Sequence, residues 1–450
     1  MFITGLLLIS LFSLVTSSYT DEALLDQVLE MPGLAYEPAF NQFSGYIQLD
    51  GTQKHIHYWL VEAEIADAPL VFWTNGGPGC SGLIGFMTEQ GPFRPDAFGN
   101  IYPNEYAWNK VANMVFLEQP VGVGFSYSDN TDDYKIGDDQ AAKDNLATIL
   151  GFLTRFPKFA QTPLYITSES YGGHYMPTLA DAIINYNDAT NSNKLNFMGF
   201  AVGNPYTDYY SGVGAEMETY WGKQLLPKPS WDRYVANGCL TVEQQLNNSF
   251  CTYMIVDFMK KIGNLNPYAL DYPVCLTSQQ RAMRSFVYGS DGVASYEPCE
   301  DDFSTNYLND PAVKKAIHVR DNIVWVECSR TTKYQMADKM LPMEKYYRTI
   351  LNSKTHPNLR ILVYSGDDDS VCGTIGTQRW IYDLGFQVDS LWTTWFVEGQ
   401  TAGYITTFKT PFSKESRFAF MTVHGAGHEV PTYKPKEALD LFQKYLQNSI

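Results

Sequence analysis

The run Tyr165-Ile166-Thr167-Ser168-Glu169-Ser170-Tyr171-Gly172-Gly173 closes a β-rich stretch with a small-x-Ser-x-Gly turn and leads into a helical pattern. A strand that turns sharply into a helix needs small residues two positions either side of its apex, because the two backbones meet there. Gly172 meets that need, and Ser168 stands where glycine is more usual, so Ser170 is the candidate nucleophile. A serine among small residues is equally what a plain turn contains, so the chemistry needs partners. A hydroxyl attacks only when a base takes its proton and an acidic group orients that base. Two later loops supply them, each after a β-rich run: Ser365-Gly366-Asp367-Asp368-Asp369 and Gly425-Ala426-Gly427-His428-Glu429-Val430-Pro431. The chain order is then Ser, Asp, His, one of the known orders for such a triad. Three aspartates in a row also suit a solvated turn, although calcium-loop spacing is absent. His424 is a rival base four residues before His428. The Gly-rich turn Trp73-Thr74-Asn75-Gly76-Gly77-Pro78-Gly79-Cys80-Ser81 follows the run PLVFW, and its N–H groups suit an oxyanion, jointly with the N–H of Tyr171.

Positioning these residues requires strands that end together. From Phe40 to Phe72, two alternating runs, FSGYIQLD and HIHYWLVE, flank Asp50-Gly51, which predicts an antiparallel hairpin. Further β-rich runs follow, PLVFWTN, ANMVFLEQP, PLYITSES, NFMGFAVGN, LRILVYSGD and RFAFMTVHG, with helical patterns at 140–155, 181–186 and 343–351. This alternation predicts an α/β fold, a central, mostly parallel sheet flanked by helices, with functional residues at the carboxyl ends of its strands. Between about 207 and 326 the alternation lapses, aromatics, Asn and Pro are scattered, and four of the seven cysteines gather. That stretch reads as an inserted cap between a first core part, 19–206, and a second, 327–450. His55 and His57 share one strand face without further ligands at metal spacing, and are expected to face solvent.

Composition narrows the function. Hydrophobic residues at 45% and charged residues at 18% suit an ordered globular chain. A net charge of −17 opposes nucleic acid or an anionic membrane as partner, since phosphate binding needs a basic surface, and suits an acidic compartment. Residues 1–18, with the run GLLLISLFSLV ahead of small residues, read as a signal peptide cleaved near Ser17 or Ser18, although no Lys or Arg precedes the run. No later stretch approaches the roughly 18 apolar residues of a membrane span. Seven cysteines fit an oxidising route with three disulfides and one free thiol, their pairing left open by spacing alone. Asn247, in Asn247-Asn248-Ser249, is the glycosylation candidate.

The sequence resembles the serine carboxypeptidase family over nearly the whole mature chain. The landmarks occur in order: WTNGGPGCS, EQGPF, EQPVGVGFSYS, SESYGGHYMP, GNPYTD, NPY, VKKAIHV, YSGDDD and HGAGHEVP. The resemblance implies an α/β-hydrolase with nucleophile Ser170, base His428 and orienting Asp369, and oxyanion donors on Gly77 and Tyr171. It implies that Trp73, Asn75, Gly76, Glu89 and Glu169 receive the carboxylate of a peptide C-terminus. Two glutamates suit a carboxylate only when protonated, since a neutral Glu donates a hydrogen bond, so binding should favour acid pH. It further implies Cys80–Cys328, Cys239–Cys251 and Cys275–Cys299 pairs, with Cys372 as the free thiol. No metal or cofactor is called for.

The implied activity is release of single C-terminal residues from peptides or proteins, in a secreted or lysosomal/vacuolar setting. Glu429, directly after His428, where several relatives carry Met, is a candidate wall of the leaving-residue pocket that would admit Lys or Arg, or else faces away. An acyltransferase on the same scaffold is the nearest alternative, opposed by Glu169, since such relatives tend to carry Asp there. A catalytically silent protective or binding protein would require loss of a triad member, and none is lost.

Overall fold

A computed structural model describes residues 19–190, 194–276 and 296–450, so the expected signal peptide lies outside the described residues. The alternating N-terminal runs form β1 (Gln42–Gln48) and β2 (Lys54–Val61), paired antiparallel, and Gly51 turns the chain between them at φ +71°. The later runs become β3 (Leu70–Thr74), β4 (Asn113–Leu117), β5 (Leu164–Glu169), β6 (Phe197–Gly203), β7 (Arg360–Gly366), β8 (Val388–Val397), β9 (Gln400–Phe408) and β10 (Phe418–Val423). The sheet order is β1-β2-β4-β3-β5-β6-β7-β10-β9-β8, parallel from β4 to β10 and antiparallel at both edges. The hairpin β8–β9 is an addition to the sequence expectation, turning at Glu398 (φ +48°) and Gly399 (φ +77°).

Both faces of this sheet are covered, and the period of two explains how one strand serves both. Leu70, Phe72, Ile166, Val202, Val363 and Phe420 point into one core. Their neighbours Val71, Trp73, Tyr165, Ala201, Leu362 and Met421 point into the other. The first core is closed by helices α1 (Asp138–Arg155), α2 (Gly172–Ala189), α6 (Glu344–Leu351) and α7 (Thr374–Asp383), and the second by α5 (Glu300–Leu308) and α8 (Pro435–Gln447); α3 (Glu216–Gly222) and α4 (Ser249–Ile262) lie apart from both. Helix α1 shows the local cause: Ala141, Asn145, Thr148 and Phe152 recur on one buried face, with Asp138 and Asp139 in the first turn and Arg155 in the last to suit the helix dipole. Burying a ring such as that of Phe152 contributes about 1.5–3 kcal/mol.

Among the described residues, no strand of the main sheet comes from the chain between β6 and β7. From Met217 to Leu270 it has a small core of its own, with Tyr220, Tyr234, Met254 and Phe258 around the Cys239–Cys251 disulfide. Tyr307, Leu308, Val313 and Trp325 instead join the second core beneath the sheet. Among the described residues of the segment 207–326, therefore, it is the earlier part that packs on itself.

His57 corrects one expectation. It does not face solvent: it is fully enclosed, its Nδ1 2.8 Å from Glu118 Oε2 and its Nε2 2.9 Å from Ser44 Oγ. The reason is that the chain after β4 folds back over β2, where Tyr127–Ser128 pairs with Lys54 and His55.

Candidate active site

The strand register brings the chemistry to one end of the sheet. Thr74 lies beside Ser168, Ser168 beside Val202, and Val202 beside Val363, so the loops after β3, β5, β6 and β7 emerge together. Ser170 sits between β5 and α2 at φ +57°, a left-handed conformation that costs a non-glycine residue about 1–3 kcal/mol. Three backbone hydrogen bonds hold it there: its N–H donates to Gly203 O (3.0 Å), and its carbonyl accepts from Gly173 (2.9 Å) and Tyr206 (2.7 Å). A side chain at position 172 would bring its Cβ within 2.2 Å of Ser168 Oγ, which is why serine is tolerated at 168 only opposite a bare glycine. The Ser168 hydroxyl uses the same closeness to donate to Thr74 O at 2.6 Å.

The Gly-rich loop after β3 rests directly on this turn. A Cβ on Gly76 would lie 2.4 Å from Tyr171 N and 2.8 Å from the Ser170 Cβ, so only a glycine admits the approach. Gly77 follows at φ +110°. The loop is tied down by the Cys80–Cys328 disulfide, by Ser81 N–H to Glu327 O (2.7 Å) and by Ser329 N–H to Gly79 O (2.8 Å). Tyr171 is fixed at its other end, its hydroxyl donating to Asp138 Oδ1 at 3.1 Å.

His428 and Asp369 meet with Nδ1 2.7 Å from Oδ2, and both are almost wholly enclosed. The Asp369 carboxylate also accepts from Asn204 Nδ2 (2.8 Å), Val371 N–H (2.7 Å) and Cys372 N–H (3.1 Å), a donor set suited to a buried anion. Burial alone would make His428 less basic; the Asp369 charge, aided by Glu429 and Glu89, outweighs it and takes the imidazole to about 9. His424 makes its own pair with Asp367 at the surface. Cys372, the free thiol, is buried against the Ser170 hydroxyl, and burial pushes it well above the usual thiol range.

A second polar cluster lies beside Ser170. Trp73 Nε1 donates to Asn75 Oδ1 (2.8 Å), and so does Gly85 N–H (3.1 Å), which aims the Asn75 amide. That amide donates to Glu89 Oε1 and Glu169 Oε1, each at 2.8 Å. Glu89 ends a single π-helical turn, Gly85–Glu89, and its carbonyl is held by Arg94 and by Asn104 (3.1 Å). Burial pushes Glu89 up to about 7 against the pull of Asn75, and pushes Glu169 well above the carboxylate range with help from the Glu89 and Glu429 charges. Glu429 is likewise taken to about 8 by burial, with His428 opposing.

These groups share a cavity of about 760 Å³. Asn75, Gly76, Gly77, Glu169, Ser170, Tyr171, His428 and Glu429 line it, with Glu89 behind Asn75. Glu297, Glu300, Asp301 and Glu327 line it as well. The disulfides are Cys80–Cys328, Cys239–Cys251 and Cys275–Cys299, and Asn247 is exposed at the end of the helix Val242–Asn247. Among the described residues, no group of three or more His, Cys, Asp or Glu could hold a metal ion, and no helix is long and apolar enough to cross a membrane.

Sequence reasoning missed Asn204. It directly follows β6 at φ +38°, binds Gly366 through both amide atoms (Oδ1 from N–H at 2.9 Å, Nδ2 to O at 3.3 Å) and donates to Asp369. Its signal was a polar residue in Gly203-Asn204-Pro205 at the carboxyl end of a strand. It also gave no role to the loop 264–272, where Tyr268 O accepts from His428 N–H at 2.7 Å.

A family model described as serine carboxypeptidase matches residues 32–448. Serine carboxypeptidase 24 of Arabidopsis thaliana is 34% identical, over 98% of this chain and 96% of the relative. Serine carboxypeptidase-like 26 of the same plant is 35% identical, over 94% and 93%. Among solved structures, the prohormone-processing carboxypeptidase Kex1(Δ)p of Saccharomyces cerevisiae superposes with a TM-score of 0.78 at 21% identity, covering 95% of this chain and 96% of its own.

Proposed function

The chain belongs to the serine carboxypeptidase family, and from that premise we propose that it releases single residues from the C-termini of peptides and proteins in acid, through an acyl-enzyme on Ser170. The Ser170 hydroxyl attacks the last peptide carbonyl while His428 Nε2 takes its proton. Asp369 holds the opposite ring nitrogen and balances the imidazolium. The N–H groups of Gly77 and Tyr171 receive the oxyanion, and His428 returns the proton to the departing amino group. Water then resolves the acyl-enzyme by the same route in reverse.

The observation that carries this reading is the buried Asn75, Glu89 and Glu169 cluster in the wall of the Ser170 cavity, with Trp73 and Gly76 beside it. A general hydrolase has no use for two enclosed glutamates on one amide. A C-terminal carboxylate does, because the amide and the protonated acids all donate to it. Clamp and base make opposing demands, since His428 must give up its proton to act. Neutral Glu89 and Glu429 withdraw two of the charges that hold that proton, so its titration lies lower while the clamp is protonated than once both acids ionise. Glu429, facing the cavity with Asp301, forms the wall of the leaving-residue pocket and favours Lys or Arg, whose cation would displace the Glu429 proton on binding. We read the segment 207–326 as a cap on a catalytic unit of 19–206 and 327–450, its later part sharing that unit's core. Three disulfides support passage through the secretory pathway, towards a secreted or lysosomal/vacuolar destination with Asn247 glycosylated.

The test is KM against pH for a matched peptide acid and peptide amide. For the acid, KM should rise as pH climbs past about 7, where Glu89 loses its proton, and the amide should respond far less. Glu89→Gln/Glu169→Gln should flatten the acid's curve. Parallel acid and amide curves in the native enzyme would refute the carboxylate clamp. A glucose ester consumed in preference to a blocked dipeptide would make the chain an acyltransferase instead.

A further inference from the structure

Asp368, Asp369 and Ser370 face alternately. Asp369 turns to His428, whereas its two neighbours turn to the cap loop 264–272. Leu270 N–H donates to Asp368 O (3.1 Å), Asp271 N–H to Asp368 Oδ2 (2.9 Å), and Ser370 donates to Pro267 O through both its N–H (3.1 Å) and its hydroxyl (2.6 Å). The same loop receives His428 N–H on Tyr268 O, and the Tyr272 hydroxyl donates to Gly425 O at 2.9 Å. Gly427 has no room for a side chain, since a Cβ would lie 2.4 Å from Tyr268 O. One cap loop therefore binds the acid-bearing and base-bearing loops together.

Its anchor is electrostatic. Asp368 has no solvent exposure, and the ammonium of Lys223, directly after α3, donates to it and to Asp271 (2.9 Å). A buried carboxylate stripped of its cation is strongly unfavourable; it takes up a proton, which ends its pull on Lys223's side of the loop, or the loops part and admit water, and either way the clamp is lost. We propose that Lys223 is a positioning residue: its pairing with Asp368 and Asp271 clamps loop 264–272 over the catalytic loops and so sets the Asp369–His428 geometry from the cap. The inference rests on the triad assigned above, and extends it to a residue of the cap that touches no reacting atom.

The test reads the triad without a peptide substrate, so failure of the carboxylate-clamp reading leaves it intact. Lys223→Met should slow inactivation of Ser170 by an organophosphate about tenfold, and lower kcat for a blocked dipeptide in parallel with KM held within about twofold. Lys223→Arg should keep most of both rates. Lys223→Met/Asp368→Asn, which buries no lone charge, should recover most of the loss. Should Lys223→Met fail to fold, Lys223→Gln takes its place, with a parallel loss of about threefold expected. A folded Met or Gln variant with native inactivation rate overturns the proposal, as does a loss confined to KM or an Arg variant no better than Met.

Discussion

Two Asp–His pairs stand within a few residues of each other and make the same contact, Nδ1 to Oδ2 at 2.7 Å: His428 with Asp369, and His424 with Asp367. Their surroundings differ. The side chains of the first pair are 2% and 0% exposed, those of the second 67% and 30%. Asp367 adds one further donor, Gly425 N–H at 2.7 Å, and Asp369 adds three. An exposed pair is worth little because water and salt screen it, while an enclosed one fixes both tautomer and ring orientation. The imidazole becomes a base through what surrounds the pair and through the cavity it faces, since His428 lines the cavity with Ser170. The hydrogen-bond length carries no such information.

The sharpest way to break this contrast is to remove each ring. His428→Ala should lower kcat by about 10⁴–10⁶-fold, as triad members act as a unit, and His424→Ala by no more than about twofold. Steady-state hydrolysis of a blocked dipeptide decides it, and the reverse ranking would move the base to His424. Next come the acids. Asp369→Asn should cost about 10⁴-fold, because an amide that keeps the shape still stabilises the wrong tautomer, and Asp367→Asn should stay within about threefold. Equal losses at both positions, measured on folded protein, would show that enclosure is not what separates the pairs.

The same contrast shows what could be read from the chain. The tight turn at Ser170, the Gly-rich loop that rests on it and the sheet were legible because each rests on local rules: small residues at a tight turn, alternation within strands, glycines where backbones touch. His424 and His428 could be ranked only through resemblance, since exposure is a property of the assembled molecule. For the same reason His57, on an alternating strand, was expected at the surface, though a distant loop encloses it. Asn204 and Lys223 act across 165 and 145 residues of sequence, distances over which periodicity is silent. The segment 207–326 stood out in the sequence mainly as a lapse in pattern. That its later part belongs to the core depends on which apolar face it covers, and composition does not encode this.

The smallest expected effect sharpens the comparison most finely, because it moves one ring and leaves the other alone. His428 must be neutral to accept the serine proton, so activity rises as pH climbs through its titration. Burial lowers that titration, Asp369 raises it most, and Glu429 and Glu89 raise it further, to about 9. Glu429, taken to about 8, is ionised over the upper part of that range, where its charge makes protonated His428 more stable. Glu429→Gln removes this charge with little change of shape. The pH at which His428 gives up its proton should fall, by about half a pH unit, and the acid limb of kcat/KM should move the same way. His424 pairs with Asp367 at the exposed site, so the substitution should leave its ring resonances in place. Following both imidazoles by NMR in the native enzyme and in Glu429→Gln reads the two pairs in one sample. A His428 curve that stays put or moves upward would remove Glu429 from the field of the proposed base, and His424 resonances displaced by the substitution would show that the two pairs are electrostatically joined.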